Sequence, residues 1–221
     1  MLYIVSTPIG NLKDITLRAL EVLKSVDLIA AEDTRHTKIL LDTYQIQKPM
    51  TSFFEHNQSS KIDYLVGLLR EGKDIALLSD AGTPGISDPG YPLIERVRRE
   101  GLPMTVIPGV AALIAALTLS GLPAHSFVFE GFLPVKSQAR RKKLEELKQL
   151  NRTAIYYESP HRVLKTLKDI DEVLGDVTVV CARELTKKFE EVHRGTGREL
   201  FDQFTHSKPR GEFVILVSPK Q

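Results

Sequence analysis

Short apolar runs punctuate the chain at residues 2–5, 27–31, 74–79 and 103–107, then at 126–129, 153–157, 177–182 and 213–217, with polar stretches of helical periodicity between them. Eight such runs, alternating with helix patterns, predict an α/β fold with much parallel sheet. Between the first two runs, Ile15, Ala19, Val22, Leu23 and Val26 repeat at helical spacing behind Asp14, which reads as the N-cap. Similar patterns occupy 62–69 and 164–174, the second closed by Gly175 in the C-cap role. Residues 111–119 are apolar nearly all round, the signature of a helix buried between two layers. The breaker cluster Gly121-Leu122-Pro123 follows and marks the expected boundary between an N-terminal α/β lobe, 1–120, and a C-terminal α/β lobe, 121–221.

Bulk properties narrow the picture. A chain of 221 residues has room for two small lobes, each with its own core. The first residues lack a basic region followed by a long apolar one, and no later run approaches the length of a membrane span. A soluble, unprocessed cytoplasmic protein is expected. Cys181 is the single cysteine and sits in an apolar run, so neither an internal disulfide nor a zinc cluster is available, and no His/Cys/Asp grouping has metal-ligand spacing. With a net charge of only +2, a polyanion would have to be held by local clusters of Lys and Arg.

Three loops rich in glycine and proline follow directly on predicted strands, where an open α/β sheet places its ligand crevice. They are Thr7-Pro8-Ile9-Gly10-Asn11, the stretch from Ser79-Asp80-Ala81-Gly82-Thr83-Pro84 through Gly85-Ile86-Ser87-Asp88-Pro89-Gly90, and Pro108-Gly109-Val110-Ala111-Ala112. Any one of them fits an ordinary turn; three in one half fit a surface that presents bare main-chain groups. Neither G-x-G-x-x-G nor G-x-x-x-x-G-K-[ST] occurs. The loops carry Asp80 and Asp88 but no Lys or Arg, which suits a ligand bearing an ammonium or sulfonium better than one bearing phosphates. Asp80 also fits a structural cap on the loop that follows it.

Pro8-x-Gly10, Ala81-Gly82-Thr83-Pro84 with Ile86, and Pro108-Gly109-Val110-Ala111-Ala112, at this spacing, resemble the cofactor-binding signature of the tetrapyrrole methylase superfamily. Four further motifs resemble one branch of it, the methyltransferases of a cytidine ribose 2′-hydroxyl in small-subunit (16S) ribosomal RNA. These are Glu32-Asp33-Thr34-Arg35-His36-Thr37, the 82–90 loop, Tyr157-Glu158-Ser159-Pro160-His161-Arg162 and Arg183-Glu184-Leu185-Thr186-Lys187-Lys188. The resemblance runs from Tyr3 to about Val217; members of that branch commonly carry a small C-terminal extension beyond it. It implies two α/β lobes with S-adenosylmethionine in the interlobe cleft, a homodimer, and ribosomal RNA, as an assembled 30S particle, for substrate. It assigns Pro8, Gly10, Asp80, Ala81, Gly82, Thr83, Ile86, Val110, Ala111 and Ala112 to the cofactor from the first lobe, and Tyr157, Glu158, Leu185 and Gly211 from the second.

Methyl transfer from a sulfonium to an alcohol is an in-line displacement, helped by alignment, by exclusion of water and by a group that takes the hydroxyl proton. The candidates are Glu158, Asp33, Arg35 and Glu184, with the imidazoles of His36 and His161 nearby in sequence. Glu158 leads, because it stands where a strand opens onto a helix. It equally fits an acidic residue favoured by that helix's dipole, and Asp33 with Arg35 fits a structural ion pair.

The expected RNA contact is electrostatic. Lys136, Arg140, Arg141, Lys142 and Lys143 crowd the start of a predicted helix and precede Glu145 and Glu146, an order the helix dipole disfavours by about 0.3 to 1 kcal/mol. A phosphate would offset that cost, although a solvated charged face fits too. His36, His161, Arg162, Arg183, Lys187 and Lys188 extend the candidate track. Two other readings stay open: a C-methyltransferase acting on a tetrapyrrole, and a cofactor- or RNA-binding module without catalysis.

Overall fold

The structure, a computed structural model, describes residues 1–150 and 152–218, which divide into two compact units between Ala111 and Ala112. In the first unit the strands β1 (Leu2–Val5), β2 (Leu28–Ala31), β3 (Met50–Ser52), β4 (Ile75–Leu78) and β5 (Met104–Ile107) form an all-parallel sheet in the order β3-β2-β4-β1-β5. Helices α1 (Leu17–Ser25), α2 (Thr34–Thr43), α3 (Gln58–Arg70) and α4 (Tyr91–Arg99) connect them. Strand alternation sends Leu2, Leu28, Ala30, Ile75 and Leu77 to one face, against Leu65, Leu69, Leu93 and Val97. It sends Val5, Ile29, Ala31, Ala76 and Leu78 to the other, against Ala19, Leu23 and Leu41. Burial on both faces is why β2 and β4 read as unbroken apolar runs.

The second unit holds α5 (Ala112–Ser120), β6 (Phe127–Phe132), α6 (Ser137–Leu150), β7 (Thr153–Glu158), α7 (Val163–Leu174), β8 (Thr178–Arg183), β9 (Glu191–Gly195), α8 (Gly197–Ser207) and β10 (Phe213–Ser218). Its sheet runs β6-β7-β10-β8-β9. Only β6 and β7 are parallel; the other three pairings are antiparallel. The expectation of much parallel sheet therefore fits the first unit and not the second, where β8 turns back directly into β9. The core lies between this sheet and α6, α7 and α8, through Leu144, Leu147, Leu167, Ile170, Leu200 and Phe204.

Three expectations need correcting. Helix α1 is capped by Thr16, whose hydroxyl accepts from the Ala19 N–H, rather than by Asp14. Helix α5 is not enclosed between layers: Ile114 and Leu119 are about half exposed. It packs on β7, β8, β9 and β10, so the chain divides ahead of α5 and not behind it at Gly121. Among the described residues no helix is long and apolar enough to cross a membrane.

Candidate functional site

The glycine and proline loops of the first unit are tied to one another by main chain. Thr7 and Gly82 form an isolated antiparallel bridge, with Thr7 N–H donating to Gly82 O at 2.8 Å and Gly82 N–H to Thr7 O at 3.0 Å. The Thr7 hydroxyl donates to Ser79 O at 3.1 Å, and the Ser6 and Thr83 hydroxyls share a hydrogen bond of 2.8 Å. The loops after β1 and β4 thus form one braced surface. Gly82 has φ of +81°, a conformation costing an L side chain roughly 1–2 kcal/mol, and its Cα faces Ile9 and the Val110 carbonyl. Ala81, Thr83 and Val110 keep backbone N–H groups without a partner among the described residues. Unspent donors on a held backbone can bond the acceptor atoms of a ligand, and the absence of Lys and Arg from the loop gives no cation for a phosphate. Pro8 is buried beneath this surface, while Gly10, Ala81 and Ile86 are exposed on it.

Beside it, the ends of β2 and β4 exchange side-chain to backbone bonds. The Asp80 N–H donates to Glu32 Oε2 at 3.1 Å, and the Asp33 N–H donates to Asp80 Oδ1 at 3.0 Å. Asp80 therefore braces this end of the sheet. Burial, followed by the charges of Asp80 and Asp33, holds the Glu32 carboxyl above the usual glutamate value despite the Asp80 N–H. Asp33 goes the other way: its side-chain pairing with Arg35, at 2.6 and 3.0 Å, and the Arg35 N–H at 2.8 Å hold it far below the usual carboxylate range. It is also the N-cap of α2, on which His36 is exposed. Glu32 escaped the sequence reading although it opens the quoted motif; nothing in a sequence says which of two adjacent carboxylates faces inward.

In the second unit most of the motif charges are consumed internally. Glu158 is 2% exposed; Oε1 accepts from the Ser159 N–H at 2.8 Å and lies 3.2 Å from Arg162 Nε, while Oε2 accepts from the Thr166 hydroxyl at 2.6 Å. This is a latch between β7 and α7, not an open carboxylate waiting for a hydroxyl. Glu184, at φ +50°, accepts from the Glu212 N–H at 3.1 Å and the Lys187 ammonium at 3.0 Å. Burial raises its carboxyl, but Lys187 and the Glu212 N–H together bring it below the usual value. Its side chain fills the space where a Cβ at Gly211 would stand. Leu185 is buried, and Tyr157 is partly exposed against the rings of Phe129 and Phe132.

The basic cluster is likewise turned inward. Arg140 is 3% exposed and grips Asp169 of α7 at 2.5 and 2.6 Å. Arg141 bonds the other Asp169 oxygen at 2.8 Å and also pairs with Glu172. Lys143 pairs with Glu130 at 2.9 Å and Glu146 at 3.2 Å. Acids of neighbouring elements, rather than a phosphate, offset the cost of cations at this helix start, so the inference of an RNA contact from the dipole is withdrawn for Arg140. Arg162 and Lys187 are bound within the unit, and Arg183 pairs with Glu191 at 3.4 Å. Lys136, Lys142 and His161 remain exposed without an ion pair among the described residues, and Lys188 sits over the Phe189 ring.

By fold the chain is similar to a diphthine synthase, at TM-score 0.79 and 15% identity, covering 100% of this chain and 90% of that one. A cobalt-precorrin-4 methyltransferase of cobalamin biosynthesis follows at 0.73 and 20%, covering 98% and 94%. Both define a two-unit α/β class, and at such identities they speak for fold alone. The chain belongs to the tetrapyrrole (corrin/porphyrin) methylases, whose family model matches residues 1–200. Among its relatives, the ribosomal RNA small subunit methyltransferase I of Thermotoga maritima is 50% identical over 220 residues, covering 100% of this chain and 99% of that protein. The Haemophilus influenzae protein of the same name is 49% identical, covering 100% of this chain and 79% of its own length.

Proposed function

We propose that the chain is an S-adenosylmethionine-dependent methyltransferase of small-subunit ribosomal RNA, acting on the ribose 2′-hydroxyl of a cytidine in an assembled 30S particle. The observation that carries this reading is near-50% identity over the full described length to relatives named for small-subunit ribosomal RNA methylation. A tetrapyrrole substrate has behind it the name of the family and fold likeness to a precorrin methyltransferase at 20% identity, well short of the 50% behind the RNA reading.

When bound, S-adenosylmethionine supplies a methyl group activated by its sulfonium charge. The first unit's part would be to hold it by main chain: the free N–H groups of Ala81, Thr83 and Val110 are the donors that would bond it, and the Thr7–Gly82 bridge fixes the distance between loops. Gly10, Ile86 and Ala111 would line that surface above the buried Pro8; Ala112, Tyr157, Leu185 and Gly211 are the residues of the second unit assigned to the cofactor. Asp33, kept ionised by Arg35, is the group we assign to the hydroxyl proton. Its basicity is low, yet an oxygen that has begun to bond carbon is a far stronger acid than an alcohol, so the transfer runs downhill late in the step. Glu184 and Glu158 order the loops after β8 and β7.

Incubation with methyl-labelled S-adenosylmethionine and either 30S particles or a porphyrinogen tests the assignment. Label in the particle RNA, resistant to alkaline cleavage at one cytidine, is expected. Label in the porphyrinogen alone, or in neither while the nucleoside binds, defeats it. The protein is further proposed to act as a homodimer in the cytoplasm, which sedimentation of the purified chain addresses for assembly.

A further inference from the structure

The edge strand β6 ends in an exposed apolar segment that the structure takes trouble to hold still. A register shift interrupts its pairing with β7 between Phe129 and Phe132, and Gly131 within it adopts φ of +62°. Bulges at sheet edges re-aim a side chain, and this one leaves the Phe132 ring 55% exposed, edge-on to Tyr157 at 5.9 Å. The chain then runs outward to Val135, 75% exposed, and Lys136. Beneath it, the Arg162 guanidinium donates to Leu133 O, and Arg140 Nη1 donates to Pro134 O at 3.3 Å and Val135 O at 3.0 Å. Ser137 donates to Asp169 at 3.2 Å. Two arginines singled out as RNA ligands are in fact the struts of this segment.

Its surroundings are positive. The nearby carboxylates Glu158, Asp169 and Glu172 are all matched by arginine, whereas Lys136 and Lys165 are exposed and without an ion pair among the described residues. Lys165 shares the α7 face of Arg162 and Asp169 through i,i+3 and i,i+4 spacing. An exposed, rigid aromatic flanked by unmatched lysines has the chemistry of a site for an unpaired nucleotide: a ring on which a base can stack and cations for the adjoining phosphates.

We propose that Phe132, Val135 and Lys136 form a platform on which a single-stranded segment of the RNA substrate stacks, held in place by Arg140 and Arg162. The inference rests on the RNA methyltransferase reading above. It is tested by fluorescence anisotropy with a fluorescein-labelled, unstructured RNA oligonucleotide, using the full chain and the variants Phe132→Ala and Val135→Ser/Lys136→Ser. Affinity for S-adenosylhomocysteine and the thermal midpoint are followed alongside. Both variants should bind RNA roughly tenfold or more weakly, with Phe132→Trp close to the parent. The double variant, which changes no residue assigned to the cofactor and no partner of the Phe132 ring, should keep nucleoside affinity and thermal midpoint. RNA affinity within twofold of the parent in both variants overturns the platform; so does a loss of self-association with RNA affinity unchanged, which would make this face an interface between copies. A parent protein that binds the nucleoside but neither binds RNA nor methylates 30S particles overturns the RNA reading itself, and the platform with it.

Discussion

The strand ends of the two units treat charge in opposite ways. In the loops after β1 and β4 most side chains are small, a main-chain bridge ties the two loops together, and Asp80 is the side chain that carries charge into the bracing, while backbone donors are left unspent. At the ends of β7 and β8 the residues are large and charged, and almost every carboxylate has found a partner in its own unit: Glu158 with Arg162 and Thr166, Glu184 with Lys187 and the Glu212 N–H. A motif rich in glycine marked a main-chain surface with backbone donors to spare, and a motif rich in charge marked scaffold. The difference follows from desolvation. A buried ion must be matched or it destabilises the fold, whereas a backbone N–H at a loop surface can wait in water.

The strongest challenge to this contrast is Arg140→Ala. If Arg140 is scaffold, the variant leaves Asp169 in the interior with only Arg141 and the Ser137 hydroxyl, at a cost of about 3 kcal/mol or more in urea unfolding. Replacing Arg140, Arg141, Lys142 and Lys143 together by Ala would therefore unfold the second unit before it said anything of RNA. A stable Arg140→Ala protein with weakened RNA binding would restore the surface role.

Next comes the first unit. Gly82→Asp places a branched, charged side chain at φ +81° beside the Val110 carbonyl and two residues from Asp80 in the same loop. Affinity for S-adenosylhomocysteine, by calorimetry, should fall beyond detection, at least roughly a hundredfold, while the unfolding free energy falls by only about 1–2 kcal/mol. Gly82→Ala separates the two: backbone strain of the same size with less obstruction, and so a smaller loss of affinity.

A smaller effect is expected of Glu158→Gln. The amide keeps one acceptor for the Thr166 hydroxyl but loses charge against Arg162, for about 1–3 kcal/mol of stability. Turnover measured below the unfolding range should change by less than tenfold. A hundredfold fall in kcat in a protein of undiminished stability would return Glu158 to the position of proton acceptor.

How far the sequence carries depends on where a side chain's partner lies. Eight apolar runs each became a strand, because burial on one or both sheet faces writes itself into consecutive residues. The two strands it did not reveal are edges: β3 is three residues long, and β9, Glu-Val-His-Arg-Gly, is largely polar. The three glycine and proline loops were legible as loops, since those residues act locally. The role of Arg140 was not, because Asp169 stands 29 positions downstream and only the packing of α7 on α6 brings it under the guanidinium.

The smallest predicted effect is the most discriminating for the end of the first sheet, where Glu32 and Asp33 are neighbours with opposite displacements. Burial raises the Glu32 carboxyl, so the folded protein holds that proton more tightly than the unfolded chain does. Its contribution to stability is fully present below the ordinary glutamate value and is lost as pH rises through the raised one. Asp33, lowered by Arg35, contributes above the ordinary aspartate value and loses that contribution as pH falls. Urea midpoints followed from acid to neutral pH should therefore respond in opposite directions: Glu32→Gln should remove a decline just above the usual carboxylate range, and Asp33→Asn should lower stability near neutrality while converging with the parent in acid. Parallel curves for Glu32→Gln and the parent would mean that Glu32 is no more reluctant to ionise than a surface glutamate. The strand end would then be an ordinary solvated one, with no reason to single out the polar bracing of Asp80 as preparation for a ligand.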